Sequence, residues 1–414
     1  MIDIKILRED PDQIKTSIKK RGLSIDLKKI SDLDRQVLNY IKKTDELRRQ
    51  QNKLSKSEIS ESERSKLVIL KNDLKEKLNK LKELRNTLNK ELSEIPNLIF
   101  DEVPSGDKEN NQIIELYKKK SEFKFKNKDH IKLTSDLDIV DYERGAKMSG
   151  SGFWIYKKQG AELEWALLNY FIDFHRQNNY TFIIPPFLLT QESAYISGHL
   201  PKFKDDLYWT EEKLCLNATS EMMLGNLHRN EILKEEYLPI KYYAYSTCFR
   251  REAGAYRTEE RGMVRGHQFN KIEMFQFTKP KNSDKAFNEL FENAKKLVEG
   301  LDLHYQAVLL SAGDTSVAMA KTIDLEVWIP SMKKYKEVTS ISNALDYQAR
   351  RGNIKYKNIT NNSNEYVHTL NASGLATSRL VPAILEQFQM NDGSVSIPKA
   401  LHKYLPFKKI EIDE

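Results

Sequence analysis

The sequence predicts an α+β protein in which an N-terminal antiparallel two-helix coiled-coil arm precedes a larger antiparallel β-sheet flanked by helices. Three observations support this prediction. Leucines recur in steps of three and four along residues 67–95, aromatic and β-branched segments become frequent after residue 130, and amphipathic segments separate them. We expect an N-terminal domain, with the arm and a linker, at residues 1–117 and a second domain at residues 118–414.

The arm is predicted from two apolar stripes within residues 28–96. Each stripe is typical of one helix, and two such helices bury their apolar side chains by folding back on each other. The serine-rich residues 55–65 are expected to form the turn, with part of them free to extend either helix, and Pro96 is expected to end the second helix. A helix of roughly 28 residues is about 40 Å long. The stripes are Leu33, Val37, Ile41, Leu47 and Leu54, with Tyr40, Thr44 and Gln51 at intermediate positions, and then Leu67, Leu70, Leu74, Leu78, Leu81, Leu84, Leu88, Leu92 and Ile95.

The second domain is expected to contain strands that alternate polar and apolar residues, with one face on helices and the other open to a ligand. Residues 97–130 are polar and rich in turn-forming residues, so they are expected to form a linker. Asp10 and Pro11 mark a helix start. The predicted strands cover residues 153–156, 181–184, 242–245, 271–277 and 324–329, and the predicted helices cover residues 161–178 and 283–301.

The composition excludes several classes of protein. A chain of 414 residues, 39% of them hydrophobic, is neither a peptide nor a disordered chain. Cys215 and Cys248 cannot form a disulfide framework or a multi-cysteine zinc site, and their scarcity favours a reducing compartment. The sequence shows no signal or transit peptide and no apolar run of about 20 residues, so we expect a cytoplasmic protein without membrane insertion.

The basic surplus of the chain is confined to its N-terminal part. Residues 1–100 hold 24 basic and 17 acidic side chains, whereas the remaining residues hold 43 of each. A surplus on one extended element favours binding of a polyanion. The alternative is a solvated, charged helix pair.

Five arginines fall within sixteen residues, on a segment predicted to form a strand, a loop and a second strand. A guanidinium on a strand binds a phosphate through two hydrogen bonds and stays charged at every working pH. The segment therefore suits a triphosphate. A surface hairpin is the alternative, but it does not explain Gly254, Gly262 and Phe269 in the same hairpin. The arginines are Arg250, Arg251, Arg257, Arg261 and Arg265.

Several ordered segments resemble the motifs of class II aminoacyl-tRNA synthetases, in the version found in seryl-tRNA synthetases. The sequence Phe-Arg-Arg-Glu-Ala-Gly, followed by Arg-Gly-His-Gln-Phe-Asn-Lys-Ile-Glu, resembles motif 2, and Leu-Asn-Ala-Ser-Gly-Leu-Ala-Thr-Ser-Arg resembles motif 3. The likeness covers essentially the whole chain, including the arm. The segments are residues 249–254 and 265–273 for motif 2, residues 370–379, 383–386 and 392–395 for motif 3, residues 337–351 between them, and residues 141–150 and 181–186 for the start of the catalytic domain and motif 1.

The resemblance implies a class II antiparallel sheet and a two-step reaction. Serine and ATP would give seryl-adenylate and pyrophosphate, and serine would then pass to the 3′ end of tRNA(Ser), and of tRNA(Sec) where that is present. It also implies a homodimer joined through motif 1 and an arm that contacts the tRNA. The arm residues expected to bind tRNA are Lys42, Lys43, Arg48, Arg49, Lys53, Lys71, Lys75 and Lys82.

For the nucleotide, the resemblance implies three catalytic arginines. Arg250 would bridge the ATP α-phosphate and the serine carboxylate, Arg265 would bind the γ-phosphate, and Arg379 would hold the adenine against Phe269. A Mg²⁺ ion would take oxygen ligands from Glu337 and Ser340. The implied ATP-binding residues are Arg250, Arg251, Glu252, Arg265, Gly266, Phe269, Glu337, Val338, Thr339, Ser340 and Arg379.

For the amino acid, residues 216–221 (Leu-Asn-Ala-Thr-Ser-Glu) are similar to a loop that lines the serine site in the family. Carboxylates suit the α-ammonium group, and a hydroxyl beside a carboxylate suits the substrate hydroxyl. Such a pocket would reject alanine by ~10⁴ or more, because buried polar groups would lose their partners. The implied serine-binding residues are Thr219, Ser220, Glu221, Arg250, Glu273, Asn371 and Ser373.

Gly266, Ala372 and Ser378 depart from the family pattern. If motif 3 requires a positive φ, Ala372 or Ser378 would be strained. The eight histidines are scattered, so no zinc site is expected.

Two other functions stay open. One is an amino acid activator that loads a carrier protein, whose relatives lack a long basic arm. The other is a catalytically inactive nucleic-acid-binding relative, which the retained charged residues of the motifs disfavour.

Overall fold

The computed structural model describes residues 1–55, 61–252 and 262–411. The chain divides into two compact units, Met1–Leu98 and Ile99–Glu414. The sequence analysis placed the boundary after residue 117. Residues 99–117 belong to the second unit because they include a strand that pairs with its sheet.

The first unit consists of helices. Aspartates at three helix N-termini accept hydrogen bonds from backbone N–H groups of the first turn, which explains where these helices begin. The predicted helix start at Asp10 and Pro11 is confirmed. The helices are α1 Ile4–Glu9, α2 Pro11–Lys20, α3 Leu27–Leu54 and α4 Glu61–Glu94.

Helices α3 and α4 form the predicted antiparallel hairpin. Val37 and Thr44 of α3 and Leu88 of α4 are buried in the seam. The Lys29 Nζ atom lies 2.6 Å from Glu91 Oε1, which places the start of α3 beside the end of α4. Helix α4 begins at Glu61, within the stretch expected to form the turn, and residues 56–60 lie outside the described residues. The eight basic residues expected to bind tRNA are all exposed.

The second unit is built on an eight-stranded sheet, so the predicted α+β fold is confirmed. The strands of the second unit are β1 Gln112–Tyr117, β2 Val140–Asp141, β3 Ile155–Tyr156, β4 Thr181–Ile183, β5 Leu188–Leu189, β6 Cys215–Leu216, β7 Ile232–Lys234, β8 Ile240–Phe249, β9 Gln268–Thr278, β10 Tyr305–Leu309, β11 Lys321–Ile329, β12 Lys334–Asn343, β13 Lys355–Lys357, β14 Asn364–Tyr366, β15 His368–Ala376, β16 Val395–Ser396 and β17 Lys409–Ile410. Eight of them form the large sheet, in the order β1-β10-β11-β12-β15-β9-β8-β4.

Helices pack on one face of this sheet and form the main core with it. Leu167 and Leu297 of two long helices lie in one apolar cluster with Met274 of β9 and Leu325 of β11. The predicted helices at residues 161–178 and 283–301 are confirmed. The helices are α5 His130–Asp136, α6 Tyr142–Ser149, α7 Lys158–Gln177, α8 Gln191–Ile196, α9 Glu221–Leu224, α10 Ser283–Gly300, α11 Tyr347–Gly352 and α12 Thr377–Gln387.

Two features of the sheet differ from the prediction. The expected linker at residues 97–130 contains β1, which pairs antiparallel with β10 at the sheet edge. Ile113, Ile114 and Leu116 of β1 are exposed, so the strand lacks the alternation that identifies a half-buried strand. The sheet is also not wholly antiparallel, because β4 runs parallel to β8. In the described residues, no helix combines the length and the apolar character needed to cross a membrane.

Candidate active site

Strand β9 presents three side chains to the open face of the sheet. Successive residues of a strand point to opposite faces. Ile272 and Met274 accordingly lie in the helix-side core, whereas Phe269, Lys271 and Glu273 line cavities on the other face. Because the side chains of a strand alternate between its two faces, an aromatic ring, a cation and a carboxylate follow one another on the same face of β9.

A β-bulge in β12 brings Glu337 and Ser340 to the same face. Residues three apart on a regular strand point to opposite faces. The pairing of β12 with β11 shifts between Leu325 and Glu326, which leaves one extra residue in β12. Glu337 and Ser340 consequently line one cavity.

A second bulge, in β15, leads into helix α12. The pairing of β15 with β9 shifts between Ser373 and Ala376. Leu375 lies within this bulge with a φ of 125°, and α12 begins at Thr377. The bulge and the first turn of the helix carry Ser373 and Arg379 to the rim of the same region.

These residues surround a cavity of about 360 Å³, which adjoins a narrower one of about 40 Å³. The two cavities form one continuous site because six residues line both of them: Arg250, Glu252, Arg265, Lys271, Glu337 and Ser373. The larger cavity is also lined by Ser197, Gly198, His199, Phe203, Asp206, Leu207, Ala218, Thr219, Glu221, Glu273, Ser316, Met319, Ser340, Ser342 and Asn371, and the narrower one by Val264, Gly266, Phe269, Val338, Ala376, Ser378 and Arg379.

One end of the site holds two buried carboxyl groups around a buried lysine. Lys271 Nζ lies 2.5 Å from Glu273 Oε2 and donates a hydrogen bond of 2.6 Å to Thr219 Oγ1. Asn371 Nδ2 donates to Glu273 Oε1 at 2.9 Å. Burial, together with the nearby charge of Glu273, raises the pKa of Glu221 to about 7. This end is therefore rich in hydrogen-bond acceptors, and the charge of its Glu221 carboxyl group changes near neutral pH.

Buried side chains fix this end from behind. Gln348 Nε2 donates to Glu221 Oε1 at 2.7 Å and to the Ser197 carbonyl oxygen at 2.9 Å. Thr369 Oγ1 donates to Gln348 Oε1 at 2.7 Å. His199, whose Nδ1 lies 2.9 Å from Ser197 Oγ, faces the cavity. Burial and the charges of Arg250 and Lys271 lower its pKa to about 3, so its imidazole is neutral.

The other end of the site carries the arginines and an aromatic ring. The Arg250 guanidinium carbon lies 5.2 Å from the centre of the Phe269 ring, and its Nε donates to the Ala218 carbonyl oxygen at 3.3 Å. Arg265 Nη2 forms an ion pair of 2.5 Å with Glu252 Oε2. Arg379 Nη1 donates to the Glu337 carbonyl oxygen at 2.8 Å. Three guanidinium groups thus converge on one wall.

A pair of carboxyl groups lies between the two ends. Ser340 Oγ donates to Asp324 Oδ1 at 2.5 Å, because Asp324 and Ser340 are partners in the sheet register. Burial, followed by the nearby charge of Glu337, raises the pKa of Asp324 well above its usual range. Such a pair is favourable for a cation, which would remove the repulsion between the two groups.

The structure brings most of the predicted site residues together and leaves three outside the cavities. Arg251 does not line either cavity. Ser220 is buried and donates to Ser246 Oγ at 2.7 Å, and Thr339 is buried and donates to the Ser373 carbonyl oxygen at 2.6 Å. The binding roles of these three residues stay predictions. Gly254, Arg257 and Arg261 lie outside the described residues.

Four residues of the site were not identified from the sequence: His199, Lys271, Asp324 and Gln348. A signal existed for Lys271, because it lies midway between Phe269 and Glu273 on the same face of a predicted strand. Asp324 and Gln348 belong to the site only because strand pairing and tertiary contacts bring them there. The sequence around His199 contains no signal that identifies it as a site residue.

The three departures from the family pattern fit this backbone. Neither Ala372 nor Ser378 has a positive φ, so the conditional expectation of strain there is not met. A Cβ atom at Gly266 would lie 2.2 Å from the Trp154 ring. A side chain at that position would therefore displace the ring.

Two protein-family models match separate parts of the chain. The family model described as Seryl-tRNA synthetase N-terminal domain matches residues 1–99. The model described as tRNA synthetase class II core domain (G, H, P, S and T) matches residues 202–388. Each match covers a segment that the sequence analysis had compared with this family.

Relatives that match the chain over nearly its full length point to the same family. The chain is 46% identical to a serine–tRNA ligase 2 of Clostridium acetobutylicum, over 99% of this chain and 100% of the relative, and 42% identical to a serine–tRNA ligase of Petrotoga mobilis, over 98% and 99%. A seryl-tRNA synthetase from Pyrococcus horikoshii complexed with ATP superposes with a TM-score of 0.93 at 32% identity, over 100% of both chains. A cytoplasmic serine–tRNA ligase from Naegleria fowleri in complex with AMP superposes with a TM-score of 0.89 at 30% identity, over 100% of this chain and 99% of that one. The chain belongs to the seryl-tRNA synthetase family, the class II serine–tRNA ligases.

Proposed function

We propose that the protein activates serine with ATP at the cavity described above, which gives seryl-adenylate and pyrophosphate, and then transfers the seryl group to the 3′ end of tRNA(Ser) with release of AMP. One observation carries the assignment of the site: a single cavity has buried carboxyl groups at one end and three arginines with an aromatic ring at the other. Arg250 lines both cavities, where an amino acid carboxylate and an α-phosphate would meet.

The carboxyl end suits serine. Glu221 and Glu273 would bind the α-ammonium group and the substrate hydroxyl, and Thr219 and Asn371 complete the polar wall. Alanine would bind through its α-ammonium group but would leave the groups around the substrate hydroxyl without a partner, which is the physical basis for rejecting it. Lys271 already pairs with Glu273, so the serine hydroxyl enters a pocket whose charge is balanced.

The arginine end suits ATP. Phe269 would lie on one face of the adenine and Arg379 on the other. Arg265 would bind the γ-phosphate, replacing or sharing its ion pair with Glu252. Adenylate formation then depends on bringing the two substrates together and on neutralising charge in the transition state, and the fixed arginines supply both.

We place a Mg²⁺ ion at Glu337 and Ser340. Both residues line the same cavity. The negative charge of Glu337, which adds to burial in raising the pKa of Asp324, supports the binding of a cation at this position. These are the ligands that a hard cation prefers. When bound, the ion would neutralise charge on the ATP phosphates.

The arm is proposed to bind the tRNA. Its exposed cations on α3 and α4 match the phosphate backbone of a polyanion.

We further propose a homodimer that is joined through the motif 1 region. We also propose a cytoplasmic location, because both cysteines are free and buried, as expected in a reducing compartment.

Serine-dependent exchange of pyrophosphate into ATP, followed by charging of tRNA(Ser), tests the proposal. We expect exchange with serine at least 10³-fold more efficient than with alanine, together with charging of tRNA(Ser). Exchange without charging would support the carrier-protein activator, and loss of both would support an inactive relative. Equal exchange with alanine would refute the assignment of the carboxyl end.

A further inference from the structure

A second chamber lies behind the site, on the helix side of β9. It has a volume of about 250 Å³, and its wall includes Phe269, Asn270, Thr377 and Glu164. Phe269 also lines the narrower cavity of the active site, so its ring is part of the wall between the two spaces. Whatever occupies the rear chamber therefore helps to fix the position of this ring.

Glu164 of α7 is a buried carboxyl group in the wall of this chamber, with 4% of its surface exposed. Its Oε1 atom accepts hydrogen bonds from Asn270 Nδ2 at 3.0 Å and from Thr377 Oγ1 at 2.6 Å. Its Oε2 atom is buried beside the hydroxyl of Tyr156. One carboxyl group thus joins α7, β9 and the first residue of α12.

Both hydrogen-bonding partners adjoin residues of the nucleotide wall. Asn270 follows Phe269 directly, and Thr377 lies two residues before Arg379. Thr377 Oγ1 also lies 3.1 Å from the Asn270 carbonyl oxygen. Because a hydroxyl has one proton, Thr377 donates either to this oxygen or to Glu164, which is nearer at 2.6 Å. The distance between the aromatic ring and the arginine that would enclose an adenine depends on this junction.

We infer that Glu164 is a positioning residue for ATP, which sets the spacing of Phe269 and Arg379 from behind through Asn270 and Thr377. This inference rests on the proposed function. Glu164 does not line either cavity of the active site, so it acts through its partners. Serine binding should be little affected, because Thr219, Glu221 and Glu273 contact other residues.

The state of the carboxyl group indicates which substitution preserves the junction. Burial raises the pKa of Glu164 to about 7, although hydrogen bonds from Thr377, Asn270 and Tyr156 act in the opposite direction and lower it. The proton is expected on Oε2, since Oε1 already accepts two hydrogen bonds. Glutamine reproduces this neutral form, whereas alanine removes the junction.

The test compares Michaelis constants in serine-dependent pyrophosphate exchange at pH 6.5, where Glu164 is mostly protonated. Glu164→Ala is expected to raise KM for ATP at least tenfold and to change KM for serine less than twofold. Glu164→Gln should keep KM for ATP within threefold of the unchanged protein. Thr377→Val, which removes one hydrogen bond, should raise KM for ATP at least threefold.

The double variant Glu164→Ala, Thr377→Val should raise KM for ATP no more than Glu164→Ala alone, because the two residues act through one junction. Thr44→Val is the matched control: it removes a buried hydroxyl that donates to the Ile41 carbonyl oxygen at 2.9 Å, in α3 of the first unit. It should leave both constants unchanged.

Equal increases in both constants, or an unchanged KM for ATP in the Thr377→Val and Glu164→Ala variants, would overturn the inference. If Glu164→Ala does not fold, the Thr377→Val and Glu164→Gln variants still decide it. Failure of the unchanged protein to catalyse exchange would instead refute the proposed function, so the two failures are distinguishable.

Discussion

The affinity for serine is predicted to change with pH because Glu221 ionises near neutrality. Its pKa is about 7 as a result of burial and the charge of Glu273, so the group gains its negative charge as the pH rises through 7. About one-tenth of the molecules are ionised at pH 6 and about nine-tenths at pH 8. If the ionised form binds the α-ammonium group, KM for serine should fall about tenfold between these values, equivalent to about 1.4 kcal/mol.

Pyrophosphate exchange at saturating ATP, measured every half unit from pH 6 to pH 8, checks this prediction. Glu221→Gln should abolish the slope, and at pH 8 it should raise KM for serine at least tenfold, because a hydrogen bond to a charged group contributes about 1.5–3 kcal/mol. The exposed Glu143 provides a control, since Glu143→Gln should keep the full slope. A wild-type KM that varies less than twofold, or a slope that survives in Glu221→Gln, would refute the reasoning.

Three further outcomes are expected. Phe269→Ala should raise KM for ATP about tenfold in exchange, because stacking on an aromatic ring contributes roughly 1–3 kcal/mol; an unchanged value would exclude adenine stacking there. Reversing charge at Lys71, Lys75 and Lys82 to Glu should raise KM for tRNA at least tenfold and flatten its salt dependence, with exchange within twofold of normal; equal charging would refute the role of the arm. Leu88→Ala should reduce the free energy of unfolding by about 2–4 kcal/mol in denaturant titration, because Leu88 is 6% exposed in the hairpin seam; a change below 0.5 kcal/mol would contradict that packing.

The fold was predictable where one physical pattern dominated. The leucine stripe of α4 repeats over many turns, and five of its leucines are buried, so the hairpin followed from periodicity alone. Strand β1 was missed because Ile113, Ile114 and Leu116 point to solvent at a sheet edge, where no core imposes alternation. The parallel pairing of β4 with β8 depends on the path of the chain between them, which no local pattern records.

The site was predictable to the extent that residue identity alone implies chemistry. Arg250 and Glu273 carry charges whose purpose can be read from the motif, and both line the cavity. Gln348 carries no charge and lies 127 residues after Glu221 in the chain, yet it donates the hydrogen bond that fixes this carboxyl group. Supporting residues of this kind become visible only when the fold brings distant segments into contact.

The bulge in β12 explains how Glu337 and Ser340, the ligands proposed from the family resemblance, can share a face although regular strand geometry would separate them. Glu337 and Ser340 are three residues apart, and a regular strand would send one of them into the helix-side core. The extra residue at the bulge reverses the alternation between them, so both reach the cavity, and Asp324 meets Ser340 across the register. Removing the extra residue would bury one of the two proposed ligands in the core, so the proposed Mg²⁺ site requires the spacing of three as much as the carboxylate and the hydroxyl themselves.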